Sequence, residues 1–458
     1  MNLEMKSKIQ NAFVLLALAG LMGLAVAVQA QTIQPIYSFT DGTYPYAALT
    51  LGPDGNFYGT TLEGSSNPLG TVFQVTTDGE LTTLVNFVGA NGATPQPSLT
   101  LGPDGNFYGT TAHGGSRDQG TVFRVTTDGA LTTLVDFVGA NGGYPLAALT
   151  LGPDGNFYGT TYEGGSGLGG TVFQVTTDGA LRTLVRFAES SARGAYPYAA
   201  LTLGPDGNFY GTTSEGGRSD LGTVFRVTTG GALTTLVSFD GYDKGAYPYA
   251  ALTLGPDGNF YGTTTSRGSV GEGTVFRVTT GGAFTTLVNF DGTNGAWPEQ
   301  PLTLGPDGSF YGTTSFGGSA YVRSFTGDGT VFRVTTNGAF TTLANFGGTN
   351  GRYPSALTLG PDGNFYGTAQ ESGSGGGGEI YRLNLPPTIS QIIHSADGGL
   401  TLDLVSTRNV SSRLYAATNL SPPFVWQPIA TNLDGGAWRF TDTNTAGFPV
   451  KLYRVSTP

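Results

Sequence analysis

The chain has 458 residues, a formal net charge of −11, no cysteine, 75 glycines and 25 prolines. The acidity excludes nucleic acid as a partner, since that ligand rewards clustered Lys and Arg, and it disfavours anionic lipid surfaces. Without cysteine there is no disulfide scaffold, so a large buried core has to hold the molecule together.

The first thirty residues read as a signal peptide. Lys6 and Lys8 precede an uncharged apolar run from Ala12 to Val28, and Val28-Gln29-Ala30 has the shape of a cleavage site. Cleavage after Ala30 is expected, leaving a chain that is secreted or held at the cell surface. No later segment is long and apolar enough to span a bilayer as a helix.

From there the sequence is periodic. Gly-Pro-Asp-Gly recurs with its first glycine at 52, 102, 152, 204, 255, 305 and 360. A period near fifty residues suits a propeller blade and is too long for one turn of a β-solenoid. The second repeat shows the unit: Leu99 to Gly102 is a first strand, and Pro103-Asp104-Gly105 is a tight turn. Asn106 to Thr111 is a second strand and Thr121 to Thr127 a third. Asp128-Gly129 is a hairpin turn, and Ala130 to Phe137 is the fourth strand. Leu131, Thr133, Val135 and Phe137 are expected on one face of that strand and Leu134 on the other. Four short strands repeated seven times predict an all-β, seven-bladed β-propeller over residues 31–385.

The two ends of the array complement each other. The seventh repeat offers Ala356 to Leu359, Asn364 to Thr368 and Glu379 to Leu383, then stops one strand short. Gln34 to Phe39 precedes the first full repeat and aligns with fourth strands such as Leu287 to Phe290. This N-terminal strand is expected to complete the last blade, which leaves no open sheet edge. After Pro386-Pro387 the repeat is lost. Residues 388–458 carry six short strand patterns: Ile389 to His394, Leu400 to Val405, Arg413 to Ala417, Trp426 to Ala430, Trp438 to Thr441 and Lys451 to Val455. They predict a small sandwich-like β domain with Trp426 and Trp438 in its core.

A group present in every blade is structural or belongs to a ring, so specific chemistry has to lie where repeats differ. The Asp of Pro-Asp-Gly is accordingly a turn residue. Before a proline in each link between blades stand Tyr44, Tyr144, Tyr196, Tyr247, Trp297 and Tyr353, with Thr94 as the exception. Such a ring either stacks on sugars or packs against the neighbouring blade. A second ring follows Gly-Thr-Thr: Glu63, His113, Glu163, Glu215, Ser266, Phe316 and Glu371. Its four carboxylates either attract a cation or a basic partner, or solvate the loops. Enzyme signatures are poor: the two histidines, His113 and His394, fall in different domains, and no metal, phosphate or nucleophile motif is present. Glu299 and Asp328 depart from the repeat and are the pair to examine for glycoside hydrolysis. No cofactor or metal is implied. The residues leave three readings open: a propeller binding an extracellular glycan or protein, a polysaccharide-acting enzyme, and a surface spacer.

Leu-Thr-Leu-Gly-Pro-Asp-Gly-Asn-Phe-Tyr-Gly-Thr-Thr followed by Gly-Thr-Val-Phe-Arg-Val-Thr-Thr resembles the GloVer repeat of bacterial choice-of-anchor tandem-repeat proteins, over nearly all of residues 34–385. That resemblance implies an exported protein without assigned enzymatic activity. The chain departs from it in ending at Lys451 to Pro458 without a hydrophobic tail or sortase-like motif. Ala417 to Leu420, Phe440 to Asp442 and Leu452 to Arg454 are similar to C-terminal modules of other secreted bacterial proteins, which implies a sorting role. Gly-Pro-Asp-Gly-Asn-Phe is also similar to the propeller of streptogramin-lyase-like enzymes, where a propeller histidine would be expected; His113 is the one available.

Overall fold

The computed structural model describes residues 32–40, 42–64, 67–322, 326–347, 350–371 and 376–384 of the repeat region. In the C-terminal region it describes 388–394, 400–406, 412–417, 427–432, 436–442 and 452–456. The residues expected to form a leader and its cleavage site, and Trp426, lie outside the described residues.

Six blades are contiguous four-stranded antiparallel sheets. In the second, Thr100–Leu101, Phe107–Thr111, Thr121–Val125 and Leu131–Asp136 pair in order. Pro103 presets φ for the first turn and Gly105 takes φ +77°, the left-handed region in which a side chain is costly. The seventh sheet joins both ends of the array. The N-terminal strand Ile33–Thr40 runs antiparallel to Gly376–Leu383, with Ile33 opposite Leu383 and Ser38 opposite Glu379. Arg352–Pro354 adds a short strand on the far side of Phe365–Glu371. The expected closure is thus present, and every named element is a strand.

The fourth strand departs from the expected alternation. In blade two Val122 pairs with Val135 but Phe123 pairs with Thr133, so Leu134 is bulged out. The bulge changes the strand's phase. Leu131 packs with Phe123 and Val125 on one side of the blade, while Leu134, Val135 and Phe137 pack on the other and Thr133 is exposed. The shift recurs at the same place in the other five contiguous blades.

What holds the ring is itself a ring. The buried tyrosine of each second strand stacks on the phenylalanine of the next, from Tyr58–Phe107 at 4.1 Å round to Tyr366–Phe57 at 4.4 Å. Full burial of such a ring contributes roughly 1.5–3 kcal/mol. Nearer the axis, Thr50 Oγ1 donates to the Leu99 carbonyl at 2.6 Å, and the contact repeats blade by blade until Thr358 donates to Leu49 at 2.5 Å.

The turn aspartates also have a second task. Asp104 accepts from Asn106 Nδ2 at 2.7 Å and from the Tyr108 hydroxyl at 2.9 Å, giving a buried ring a polar partner. Partial burial of Asp104 alone would raise its pKa, but the bonds from Asn106 and Tyr108 outweigh it and hold the carboxyl below the ordinary range. Burial, then the bond to Asp104, pushes the Tyr108 hydroxyl up to about 12.

The C-terminal region forms two three-stranded sheets, with all six expected strands present within a residue or two. Leu402 and Leu404 from one sheet share a core with Leu414 from the other, with Trp438 and Phe440 packed against them.

Candidate functional site

The links between blades set the geometry. Thr94, Tyr144, Tyr196, Tyr247, Trp297 and Tyr353 all have φ between 51° and 57°. A residue before proline is discouraged from the right-handed helical region, and a left-handed non-glycine residue costs about 1–3 kcal/mol unless its surroundings fix it. Here the backbone is fixed on both sides. Tyr144 N donates to the Gln119 carbonyl at 2.9 Å, and its own carbonyl accepts from Tyr162 N at 2.9 Å. Past the link prolines the chain runs inward, so that Tyr46, Gln96, Leu146, Tyr198, Tyr249 and Glu299 face the centre of the disc.

Those residues and the two that follow, Tyr46 to Ala48, Gln96 to Ser98, Leu146 to Ala148, Tyr198 to Ala200, Tyr249 to Ala251 and Glu299 to Pro301, line one cavity of roughly 460 Å³, joined by Ala356. Equivalent positions from all seven blades meet only on the ring axis, so this is an axial cavity. Tyr162 and Trp297 reach its wall. It is lopsided. Blades four to six contribute Tyr198, Tyr249, Trp297 and Glu299, whereas blades two and three offer Gln96, Ser98 and Leu146.

The Tyr198 hydroxyl bonds to that of Tyr46 from across the ring. Tyr198 also sits edge-on to Tyr249 at 5.2 Å and to Tyr162 at 6.0 Å. Glu299 Oε2 accepts from Ser315 Oγ at 2.9 Å. Burial raises the Glu299 carboxyl, with the Ser315 bond opposing. Its charge, after burial, helps to raise Tyr46 and Tyr198. Among the described residues Glu299 is the one carboxylate in the lining, and none of them places a Lys, Arg or His there.

Of the aromatic ring expected from the sequence, Trp297 lines the cavity and the others stand outside it, half-buried. Tyr144 meets His113 edge-on at 5.3 Å, Tyr196 packs on Tyr162 at 5.1 Å, and Tyr353 meets Phe316 edge-on at 5.3 Å. Tyr247 lies parallel to Tyr249 at 6.5 Å, and the Tyr44 carbonyl accepts from Leu62 N. The second ring therefore interleaves with the first instead of forming a separate layer. Glu63 and Glu163 are exposed, Glu215 is half-buried, and Glu371 lies 4.0 Å from Arg352. Ser266 bridges to Ala246 through its backbone. Asp328 pairs with Arg352 at 3.0 Å and is not in the lining, so the cavity does not bring Glu299 and Asp328 together. His113 is exposed, 3.8 Å from Asp118, and also stands outside the cavity. Among the described residues, no three His, Cys, Asp or Glu side chains are grouped as metal ligands. Sequence reasoning missed Tyr46, Tyr198 and Tyr249. The signal was there: the position after each proline is the most variable of the link, reading Tyr, Gln, Leu, Tyr, Tyr, Glu and Ser.

The profile of the Gloeobacter/Verrucomicrobia repeat matches residues 23–204 and 188–323. The chain belongs to that family. The matched span takes in the N-terminal strand Ile33–Thr40 and ends before the last two strands of the sixth blade. Comparison with curated proteins finds no match. Among solved structures, the extracellular domain of the candidate hybrid two-component system BT3049 of B. thetaiotaomicron is similar at 10% identity and TM-score 0.52. The likeness covers 93% of this chain and 55% of that one, so the chain spans about half that domain's length. A candidate 6-phosphogluconolactonase of Bacteroides uniformis matches at 16% identity and TM-score 0.46, covering 69% and 95% of the two chains. PorZ, a surface component of the type-IX secretion system of Porphyromonas gingivalis, matches at 11% identity and TM-score 0.47, covering 88% and 58%. At these identities the likeness concerns the fold. No described helix is long and apolar enough to cross a membrane.

Proposed function

We propose that this Gloeobacter/Verrucomicrobia repeat protein is an exported, non-enzymatic propeller that binds an extracellular glycan at the mouth of its axial cavity. The observation that carries the reading is the set of five aromatic rings in the axial cavity, Tyr46, Tyr198, Tyr249 and Trp297 from the links between blades and Tyr162 from a loop within the third blade. Aromatic faces pair well with the C–H-rich faces of sugars, and a rigid scaffold presenting them loses little entropy on binding. Export fits the leader-like residues before Ala30, and cleavage there leaves the N-terminal strand whole. The binding reading is favoured over hydrolysis by the lining, because glycoside hydrolysis ordinarily takes two carboxyl groups and Glu299 stands alone in it.

Glycan-array screening of the mature chain beside Trp297→Ala tests the proposal. Trp297→Ala is expected to weaken binding about ten-fold or more, the loss of one stacked ring. Absence of any bound glycan, or unchanged binding by the variant, refutes it.

A further inference from the structure

The lining of the axial cavity has a chemical bias that the glycan reading leaves open. Five aromatic rings share the lining with a single carboxylate, and among the described residues no Lys, Arg or His is there to neutralise it. Glu299 has one hydrogen-bond donor, Ser315 Oγ, although it sits deep enough in the wall for burial to raise its pKa. A buried carboxylate without a counter-charge is costly, and a cation arriving with the ligand removes that cost. The surrounding rings add to the preference. A cation over the face of Trp or Tyr, within about 6 Å of the ring centre, gains roughly 0.5–2 kcal/mol from the ring quadrupole.

We infer that the axial cavity receives a positively charged ammonium group, held by Glu299 and caged by Tyr46, Tyr198, Tyr249 and Trp297. This rests on the proposal that the cavity is a binding site, and it names the chemistry of the group that enters. An amino-sugar end of a polysaccharide and a quaternary ammonium head group share that chemistry. The chain's net charge of −11 acts in the same direction, because an acidic surface draws cations toward the mouth.

Calorimetric titration of the mature chain with three probes tests the inference: glucosamine oligomers, their N-acetylated counterparts and tetramethylammonium. The free-amine oligomers are expected to bind about ten-fold tighter than the acetylated ones, and Glu299→Gln, which keeps the Ser315 contact, should abolish that difference. Tyr249→Ala, judged beside it, should weaken every cationic probe. Tetramethylammonium keeps its charge at all pH values, so its affinity should rise with pH as Glu299 ionises. Binding of tetramethylammonium as well as the amine shows that the cage accepts ammonium from either source; binding of the oligomer alone identifies the amino sugar. Equal affinity for acetylated and free-amine oligomers, unchanged in Glu299→Gln, overturns the cation assignment while leaving glycan binding intact. Failure of all three probes to bind overturns this inference, and a blank glycan array beside it overturns the binding reading as well.

Discussion

Deleting residues 31–40 should lower the melting temperature of the mature chain by about 7 °C and make it aggregate on heating. The N-terminal strand supplies Phe39, which is buried and meets Phe73 edge-on at 5.6 Å, together with Ile36 and Tyr37 packed on the same cluster. Losing these contacts costs on the order of 5 kcal/mol at the usual value for buried apolar side chains. For a domain of this size that is a shift of about 7 °C. The remaining strand Gly376–Leu383 would present an unpaired edge, a template for other chains. Thermal unfolding followed by circular dichroism and light scattering measures both effects. An unchanged melting temperature would mean that the strand is not what closes the ring.

The same closing blade carries a pH-dependent weakness. In the other six blades the second and third strands meet through a buried threonine pair, such as Thr111 and Thr121 at 2.9 Å. The seventh has Ala369 and Glu379 at those places, in register with each other, and Glu379 is also paired with Ser38 of the N-terminal strand. Glu379 is 2% exposed and its Oε1 has no hydrogen-bond partner. The carboxyl fills the room left by Ala369 and lies against Gly351, where an added Cβ would stand 2.7 Å from Oε1. Burial pushes Glu379 up to about 7 from its ordinary 4.5.

An acid whose folded pKa lies above its unfolded value holds its proton more tightly when folded. Its contribution is therefore whole below about pH 4.5 and is lost as pH rises to about 7. At 1.36 kcal/mol per unit, the loss is on the order of 3 kcal/mol. Melting temperature should fall between pH 5 and pH 8 in the native chain, and Glu379→Gln should flatten that fall. The double substitution Ala369→Thr with Glu379→Thr, which rebuilds the pair of the other blades, should also flatten it. Parallel profiles for native and Glu379→Gln chains would remove Glu379 as the cause. The acid limb has another origin. Asp54, Asp104, Asp154, Asp206 and Asp257 are held below their ordinary range, so their contribution is lost as pH falls below about 4.

Much of the fold is legible because each repeated residue has one local task. Pro103 and Gly105 specify a turn, and Phe107 and Tyr108 with Phe123 and Val125 specify two neighbouring strands of a sheet buried on both faces. Closure was legible from the ends, since a missing strand at one terminus matched a spare one at the other. The bulge at Leu134 was not, because a single extra residue leaves the apolar count unchanged and alters only its phase. The candidate site was half legible. The residue before most link prolines draws attention through its aromatic ring, yet it is the residue after the proline that faces the axis in six of the seven links. Glu299 was found as a departure from the repeat. Tyr198 and Tyr249 were overlooked beside more conspicuous neighbours. Nor does Glu379 announce itself in one blade: its meaning appears only when it is set against the threonine of the other six.

The proposed function places recognition on the axis, at the residues after the link prolines, and leaves most aromatics before those prolines to the scaffold. Titrating Tyr249→Ala and Tyr144→Ala with the same array-selected glycan separates the two positions in one measurement. Tyr249→Ala should weaken binding about ten-fold or more and Tyr144→Ala less than about two-fold, each with an intact thermal transition. The opposite order would place the binding surface on the outer ring and contradict the axial site.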